Sequence, residues 1–189
     1  MENSQNKTVQ FTGEEFIQIG EIAKPFWERG TSSDTPKFVI FMGGIGAGKT
    51  TIRREQFAEG YVHFDFGEIY TAIEKAFGGE NEKLSEYALF ASSLILQESI
   101  NSKKNIVIEI IGDSQEVITP VIDGMKSIGY EISISAINAD VAEAYQRHIK
   151  AVNEDPEYIS SYYTQEATLA SIYSYFGLQM PAMSNTDSE

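Results

Sequence analysis

A glycine-rich segment directly after an apolar run constrains this chain more than any other feature. Residues 43–50 read GGIGAGKT and fit the pattern G-x-x-x-x-G-K-[ST], and they follow the apolar run at 38–42. Glycine lets a backbone curl tightly enough to surround a polyphosphate with N–H groups. A strand before the loop and a helix after it form the context in which this pattern binds phosphate. The alternative interpretation is a glycine-rich turn with an incidental lysine.

This loop supplies most of the candidate nucleotide-binding residues. We expect Lys49 to reach the β- and γ-phosphates and the hydroxyl of Thr50 to bind Mg²⁺, while the helix that begins near Gly48 directs the positive end of its dipole at the anion. The predicted cofactors are therefore ATP or GTP together with Mg²⁺. The candidate nucleotide-binding residues are Gly43, Gly44, Ile45, Gly46, Ala47, Gly48, Lys49, Thr50 and Thr51.

Strand-like and helix-like segments alternate along the rest of the chain. Such alternation around a phosphate loop predicts a doubly wound α/β domain, with a mainly parallel sheet, helices on both faces and ligands at the carboxyl ends of the strands. The predicted strands are 37–42, 61–65, 105–111 and 130–137. The predicted helices are 14–28, 49–58, 68–77, 83–100, one from an N-cap at Thr119 with Pro120 at its first position to Gly129, 141–152 and 159–176.

We expect residues 13–177 to form a single domain, because a chain of 189 residues is long enough for one sheet covered by helices. Residues 1–12 are polar and predicted to be flexible, and residues 178–189 are predicted to be a disordered tail. No apolar run approaches the length of about 18 residues that a membrane span needs. The N-terminus lacks the pattern of a signal peptide. We therefore expect a cytoplasmic protein with no membrane partner.

Charge and missing residue types narrow the functions further. The chain has no cysteine and two histidines, so disulfides and thiolate metal sites are excluded and a histidine-rich metal centre is not expected. With 14 basic and 28 acidic residues the net charge is −14, which repels nucleic acid outside a locally basic pocket. The acidity is explained either by solubility or by a basic protein partner.

Polar side chains at predicted strand ends are the candidate catalytic groups. Asp65 ends the second strand, where it could act as a base or hold Mg²⁺, or instead cap the next helix with Glu68 at its third position. Glu109 interrupts an apolar strand. If Glu109 is buried, we expect a lysine, a magnesium-bound water or a substrate hydroxyl beside it. The alternative is that this strand lies at the edge of the sheet and Glu109 faces solvent. Asp113 and residues 138–140 also follow strand ends, and Asp113 could be a turn residue.

Two groups of cations could stabilise a transferring phosphoryl group. Arg147 lies in a cationic cluster with His148 and Lys150, and an arginine there could fold over the phosphates. Arg53 and Arg54 could do the same from the helix after the loop. Their alternative is a solvated helix face paired to nearby glutamates.

With these residues together, the chain resembles the zeta-toxin family of bacterial phosphotransferases, a branch of the P-loop small-molecule kinases. The resemblance implies a P-loop kinase-like fold, a nucleotide-sugar acceptor and an antitoxin-like partner that blocks the nucleotide site with a helix. It covers about residues 14–176 as an order of elements: an N-terminal helix, the loop 43–50, the segment Val62-His63-Phe64-Asp65, the strand with Ile108-Glu109, and a helix holding Arg147 before Glu154-Asp155-Pro156.

The chain departs from the family at acceptor-binding positions. The family's second strand ends in Asp-x-Asp, whose second aspartate is the base on the 3′-hydroxyl of a UDP-N-acetyl sugar; Gly67 stands there, so Asp65 or Glu68 must replace it. The family motif Glu-Gly-Thr-x-Arg begins here at Glu109, and Asp113 replaces its substrate-gripping arginine. The resemblance thus implies nucleotide binding more firmly than it implies the sugar substrate.

Three hypotheses follow. The first is a kinase that moves the γ-phosphoryl of ATP or GTP to a small acceptor, with Lys49 and Thr50 as above, Asp65 as base and Glu109 as a further catalytic group. Arg147 would act as lid, because it aligns with one of the family's two phosphate-stabilising arginines, whereas Ser160 replaces the other. The second is a nucleotide-binding regulatory module that has lost transferase activity. The third is an ATPase that does mechanical work, for which Glu109 would have to hold the magnesium.

Overall fold

The computed structural model describes residues 10–112, 114–154 and 162. Four parallel strands form one sheet in the order β2-β3-β1-β4. The strands are β1 Lys37–Met42, β2 Val62–Phe64, β3 Ile106–Ile110 and β4 Glu131–Ala136. The helices are α1 Gly13–Glu28, α2 Lys49–Gln56, α3 Phe66–Phe77, α4 Leu84–Asn101, α5 Gln115–Ser127 and α6 Val141–Glu154. The expected α/β architecture with a parallel sheet is confirmed.

Helices cover both faces of the sheet around β1. Successive side chains of a strand point to opposite faces, and in β1 both sets are buried. Phe38 and Ile40 join the larger core with α1, α3 and α4, whereas Val39 and Phe41 pack with Val107 on the side of α2. Because β1 lies between β3 and β4, the loop that follows it leaves from the centre of the carboxyl edge.

The predicted strands are all present, each ending within one residue of its expected bounds. The prediction for α5 was wrong at its start. The helix begins at Gln115 with Ser114 in the N-cap position, so Thr119 is not its cap and Pro120 lies inside it. Its expected buried face is also largely exposed, because α5 packs mainly at the edge strand β4 and buries only Met125.

The start of α1 is tied to α4 through one carboxylate. Thr12 and Glu15 form a capping box in which each side chain accepts a hydrogen bond from the other's backbone N–H. Glu15 also accepts from Lys83 Nζ at 3.1 Å and from the hydroxyl of Tyr87. These donors lower the pKa of Glu15 to about 2, the Tyr87 hydroxyl most of all. Phe11, within the segment expected to be flexible, packs against Tyr87.

No helix in the described ranges is long and apolar enough to cross a membrane. Apart from Tyr162, the predicted last helix at 159–176 lies outside the described residues, as do the predicted tail at 178–189 and most of the predicted flexible N-terminus.

Candidate functional site

The loop after β1 is held in its curled form by two glycines and by α6. Gly46 and Gly48 have φ of 73° and 101°, in the left-handed region that favours glycine. A Cβ on Gly46 would lie 1.9 Å from the carbonyl oxygen of Ala144. The first turns of α6 therefore pack directly on the loop, and this contact requires glycine for space as well as for conformation.

Lys49, the first residue of α2, turns its ammonium back toward the start of the loop. Its Nζ donates to the carbonyl oxygens of Gly43 at 2.8 Å and Gly44 at 2.9 Å. Burial lowers the pKa of Lys49, and the nearby carboxylates of Glu109 and Asp65 oppose that effect. The ammonium of Lys49 therefore interacts electrostatically with Glu109 and Asp65, the two carboxylates that the sequence analysis identified as candidate catalytic groups.

Glu109 reaches from β3 to the loop helix. Its carboxylate accepts from Thr50 Oγ1 at 2.9 Å and from Arg53 Nε at 2.5 Å, and its side chain is 8% exposed. The edge-strand alternative is wrong, since β3 lies between β2 and β1. The expectation of a buried Glu109 with a partner is confirmed, but the partners are an arginine and a threonine, not a lysine.

Asp65 caps the next helix, as one of the two sequence alternatives predicted, and it also faces Arg53. It is the N-cap of α3, where Oδ1 accepts from the backbone N–H of Gly67 at 2.9 Å and of Glu68 at 3.3 Å. Its Oδ2 faces Arg53 Nη2 at 3.5 Å. Burial raises the pKa of Asp65 and Glu109 adds to this, whereas Arg53 opposes it. The carboxylate therefore caps a helix and also faces the site.

Arg53 joins these groups and is not on a solvated helix face, so that alternative was wrong for Arg53, whereas Arg54 is exposed. Its side chain is 5% exposed, and its Nη1 lies 3.4 Å from Glu68 Oε2 in addition to the contacts with Glu109 and Asp65. Arg53 follows Lys49 by four residues, and side chains four apart share one face of a helix. This spacing was a signal that could have placed Arg53 beside the site before the structure.

A cavity of about 380 Å³ opens beside these carboxylates, between α1, α2 and α3. Thr50 and Asp65 line it, so it adjoins the loop helix. Four cations line it as well, which is unusual for a chain of net charge −14. They are Arg29, Arg53, Arg54 and Lys75. No motif pointed to Arg29 or Lys75, because α1 and α3 carry no recognised pattern and their approach is a product of packing.

Two other candidate positions lie apart from this cavity. Arg147 is 53% exposed on α6 and donates to Glu143 Oε2 at 2.9 Å, and it is not among the residues that line the cavity. Asp140 accepts from the backbone N–H groups of Ala142 and Glu143, which makes it a helix cap. Asp113 and Ser160 lie outside the described residues.

A parallel sheet of this strand order, with the phosphate-loop pattern after its central strand, defines a P-loop kinase-like α/β protein. The sequence profile of the zeta toxin family matches residues 27–172. The chain therefore belongs to the zeta toxin family, as its motifs predicted. A search among curated proteins finds no match.

Solved structures share the fold at low sequence identity. A chain from the PezAT chromosomal toxin-antitoxin system of Streptococcus pneumoniae is 18% identical with a TM-score of 0.60, over 86% of this chain and 75% of that one. A chain of the Pnkp1/Rnl/Hen1 RNA repair complex is 15% identical with a TM-score of 0.53, over 84% and 54%. A chain of the AvrRxo1-ORF1:ORF2 complex with ATP is 12% identical with a TM-score of 0.50, over 76% and 48%. The chain thus spans about half the length of the last two.

Proposed function

We propose that this chain is a phosphotransferase that moves the γ-phosphoryl group of ATP or GTP to a hydroxyl of a small molecule. One observation carries the proposal: the Thr50 hydroxyl and the Asp65 carboxylate line a cavity directly beside a loop that fits the phosphate-binding pattern. A cavity of about 380 Å³ suits a small molecule rather than a polymer. The zeta toxin family membership and a structural neighbour solved with ATP support nucleotide use.

In the proposed reaction, different residues bind the phosphates, accept the proton of the acceptor hydroxyl and cover the site. Loop N–H groups from Gly43 to Thr51 and the ammonium of Lys49 hold the phosphates. The acceptor oxygen bonds to the γ-phosphorus as the bond to the β–γ bridging oxygen breaks. The acceptor proton passes to the carboxylate of Asp65, and a nucleoside diphosphate leaves. Arg147 remains the proposed lid, which requires it to leave Glu143 and turn toward the loop that α6 contacts.

Thr50 and the acidic residues beside it fit a nucleotide-bound Mg²⁺. In the described ranges no cluster of three acidic, histidine or cysteine side chains could hold a metal alone. Mg²⁺ on a nucleotide needs fewer, because waters and phosphate oxygens supply most ligands. The hydroxyl of Thr50 and the carboxylates of Glu109 and Asp65 would hold it, directly or through water. The ion would neutralise charge on the phosphates.

The basic lining of the cavity favours an acceptor that carries negative charge, such as a nucleotide sugar. Arg29, Arg53, Arg54 and Lys75 all line the cavity, and an acceptor anion would lie in the positive potential that these four cations create together. We further propose an antitoxin-like protein partner, because the chain is acidic and the PezAT neighbour comes from a toxin-antitoxin system. Nucleic acid and membranes are not proposed partners, and the proposed location is the cytoplasm.

A second candidate is a nucleotide-binding regulatory module without transferase activity. Both oxygens of Asp65 are engaged, one by helix N–H groups and one facing Arg53, and Gly67 supplies no second carboxylate. The two candidates share nucleotide binding and differ in phosphoryl transfer.

The deciding experiment incubates the purified chain with γ-labelled ATP or GTP, Mg²⁺ and a pool of cellular metabolites, followed by mass spectrometry. The proposal predicts one phosphorylated metabolite. Lys49→Ala should lower the rate of its formation about a hundredfold or more, because the positive charge that stabilises the transferring phosphoryl group is lost. Lys24→Ala, at an exposed ion pair on α1, is the matched control and should leave the rate unchanged. Saturable binding with no labelled product would favour the regulatory module instead.

A further inference from the structure

The guanidinium of Arg53 connects the two halves of the site. Each of its nitrogens faces a different carboxylate: Nε lies 2.5 Å from Glu109 Oε1, Nη1 lies 3.4 Å from Glu68 Oε2, and Nη2 lies 3.5 Å from Asp65 Oδ2. Glu109 belongs to β3, whereas Asp65 and Glu68 begin α3. One side chain from α2 therefore bridges the strand beside the loop and the helix beside the cavity.

In this arrangement the positive charge of Arg53 is paired with carboxylates on every side of the guanidinium. A buried charge is costly without a partner, and Arg53, at 5% exposed, has three. Arg29 Nη1 completes the cluster by donating to Glu68 Oε1 at 2.8 Å. With Lys49, three cations and three carboxylates balance. Arg53 is thus not a spare cation for a substrate phosphate, although it lines the cavity.

Arg53 also acts on the loop helix through a shared acceptor. Glu109 accepts from Arg53 and from Thr50, which precedes Arg53 by three residues on the same helix. The Arg53 guanidinium therefore connects the Thr50 hydroxyl, through Glu109, with Asp65.

We propose that Arg53 is the positioning residue of the site, fixing the Glu109–Thr50 pair beside the phosphate loop at a set distance from Asp65 beside the acceptor cavity. The proposal rests on the proposed function for its catalytic consequence. An arginine is required because a planar fork presents several donors in fixed directions, whereas the ammonium of lysine is a single point charge. A displacement of reacting groups by about 1 Å costs about a hundredfold in rate.

The kinetic test compares Arg53→Lys, Arg53→Gln and the control Lys24→Gln in the release of phosphate from magnesium ATP, with water as acceptor. We expect both Arg53 variants to lower kcat at least about tenfold while KM for ATP stays within about threefold, because the loop itself is intact. Lys24 lies in an exposed pair on α1, so Lys24→Gln should match the wild type. An Arg53→Lys variant with wild-type kcat, or one that raises KM alone, would overturn the proposal.

A spectroscopic readout tests the bridge without turnover. In protein labelled with ¹⁵N, the Nε–H signal of Arg53 is identified by its loss in Arg53→Lys, and Glu109→Gln should shift it because the charged acceptor is removed. If the chemical shift of the Arg53 Nε–H signal is the same in Glu109→Gln as in the wild type, the proposed bridge is wrong. Wild-type protein that transfers the γ-phosphoryl group neither to water nor to the metabolite pool would contradict the proposed function, while the signal still decides the bridge. Should Arg53→Gln prove unfolded by circular dichroism, Arg53→Lys decides alone by the same criteria.

Discussion

At the scale of single residues, the site is organised by ion pairs between Arg53 and the carboxylates around it, and the Thr50 hydroxyl donates to one of these carboxylates, Glu109. Asp65 and Glu109 could be predicted from sequence because each interrupts or ends an apolar strand. The four-residue spacing from Lys49 could have placed Arg53 beside the site, but it could not identify the carboxylates that Arg53 contacts. Its three acceptors come from β3 and α3, which are distant in sequence.

Thr50→Val tests the proposed magnesium contact at this scale. Valine keeps the shape of threonine and removes the hydroxyl that donates to Glu109 at 2.9 Å. We expect the affinity for ATP to fall about tenfold in the presence of Mg²⁺ and to change little in EDTA, because the lost group acts on the metal. Calorimetric titration in both buffers measures the difference. Thr50→Ser retains a hydroxyl and should bind as the wild type, and an equal loss in both buffers would contradict the assignment.

At the scale of elements, local sequence patterns predicted the strands and helices whose bounds depend on local interactions. Apolar runs predicted β1 to β4, and the glycines with lysine predicted the loop and the start of α2. The start of α5 was misplaced because Thr119-Pro120 is a strong local signal for a helix start. The observed helix instead begins at Gln115 after an extended Ser114 and tolerates Pro120 within it. No local pattern shows that α6 would pack on Gly46, since this contact joins segments that are far apart in the chain.

The contact between α1 and α4 predicts a pH dependence of stability. The pKa of Glu15 is lowered from 4.5 to about 2 in the folded chain, chiefly by the Tyr87 hydroxyl, then by the Thr12 backbone and by Lys83. A lowered carboxylate pKa stabilises the fold fully above the unfolded value and ceases to do so as the pH falls through the folded value. Glu15→Gln should therefore lower Tm near pH 7, and the difference from wild type should shrink between pH 4.5 and 2.

Thermal unfolding followed by circular dichroism across that pH range measures this effect. Glu14→Gln, at the neighbouring exposed position in the first turn of α1, is the matched control. A Tm difference for Glu15→Gln that stays constant down to pH 2 would show that the carboxylate charge is not what ties α1 to α4.

At the scale of the whole molecule, the zeta toxin fold places a phosphate-loop pattern, the two carboxylates proposed to take part in catalysis and a basic cavity at one edge of the sheet. The fold class was predictable because alternation of strands and helices around the loop leaves few topologies. The cavity was not, because its lining comes from α1, α2 and α3 together. The replacements at Gly67 and Asp113 fall at positions that the family resemblance assigns to the acceptor, whereas the loop pattern is complete from Gly43 to Thr50.

Isothermal titration of the purified chain with ATP and with GTP, each with Mg²⁺, decides whether the loop at residues 43–50 binds a nucleoside triphosphate. We expect saturable binding of at least one of the two triphosphates at one site per chain, since the proposed site surrounds the phosphates with the amides of the loop and the ammonium of Lys49. Absence of heat with both nucleotides, from a chain shown to be folded, would contradict it.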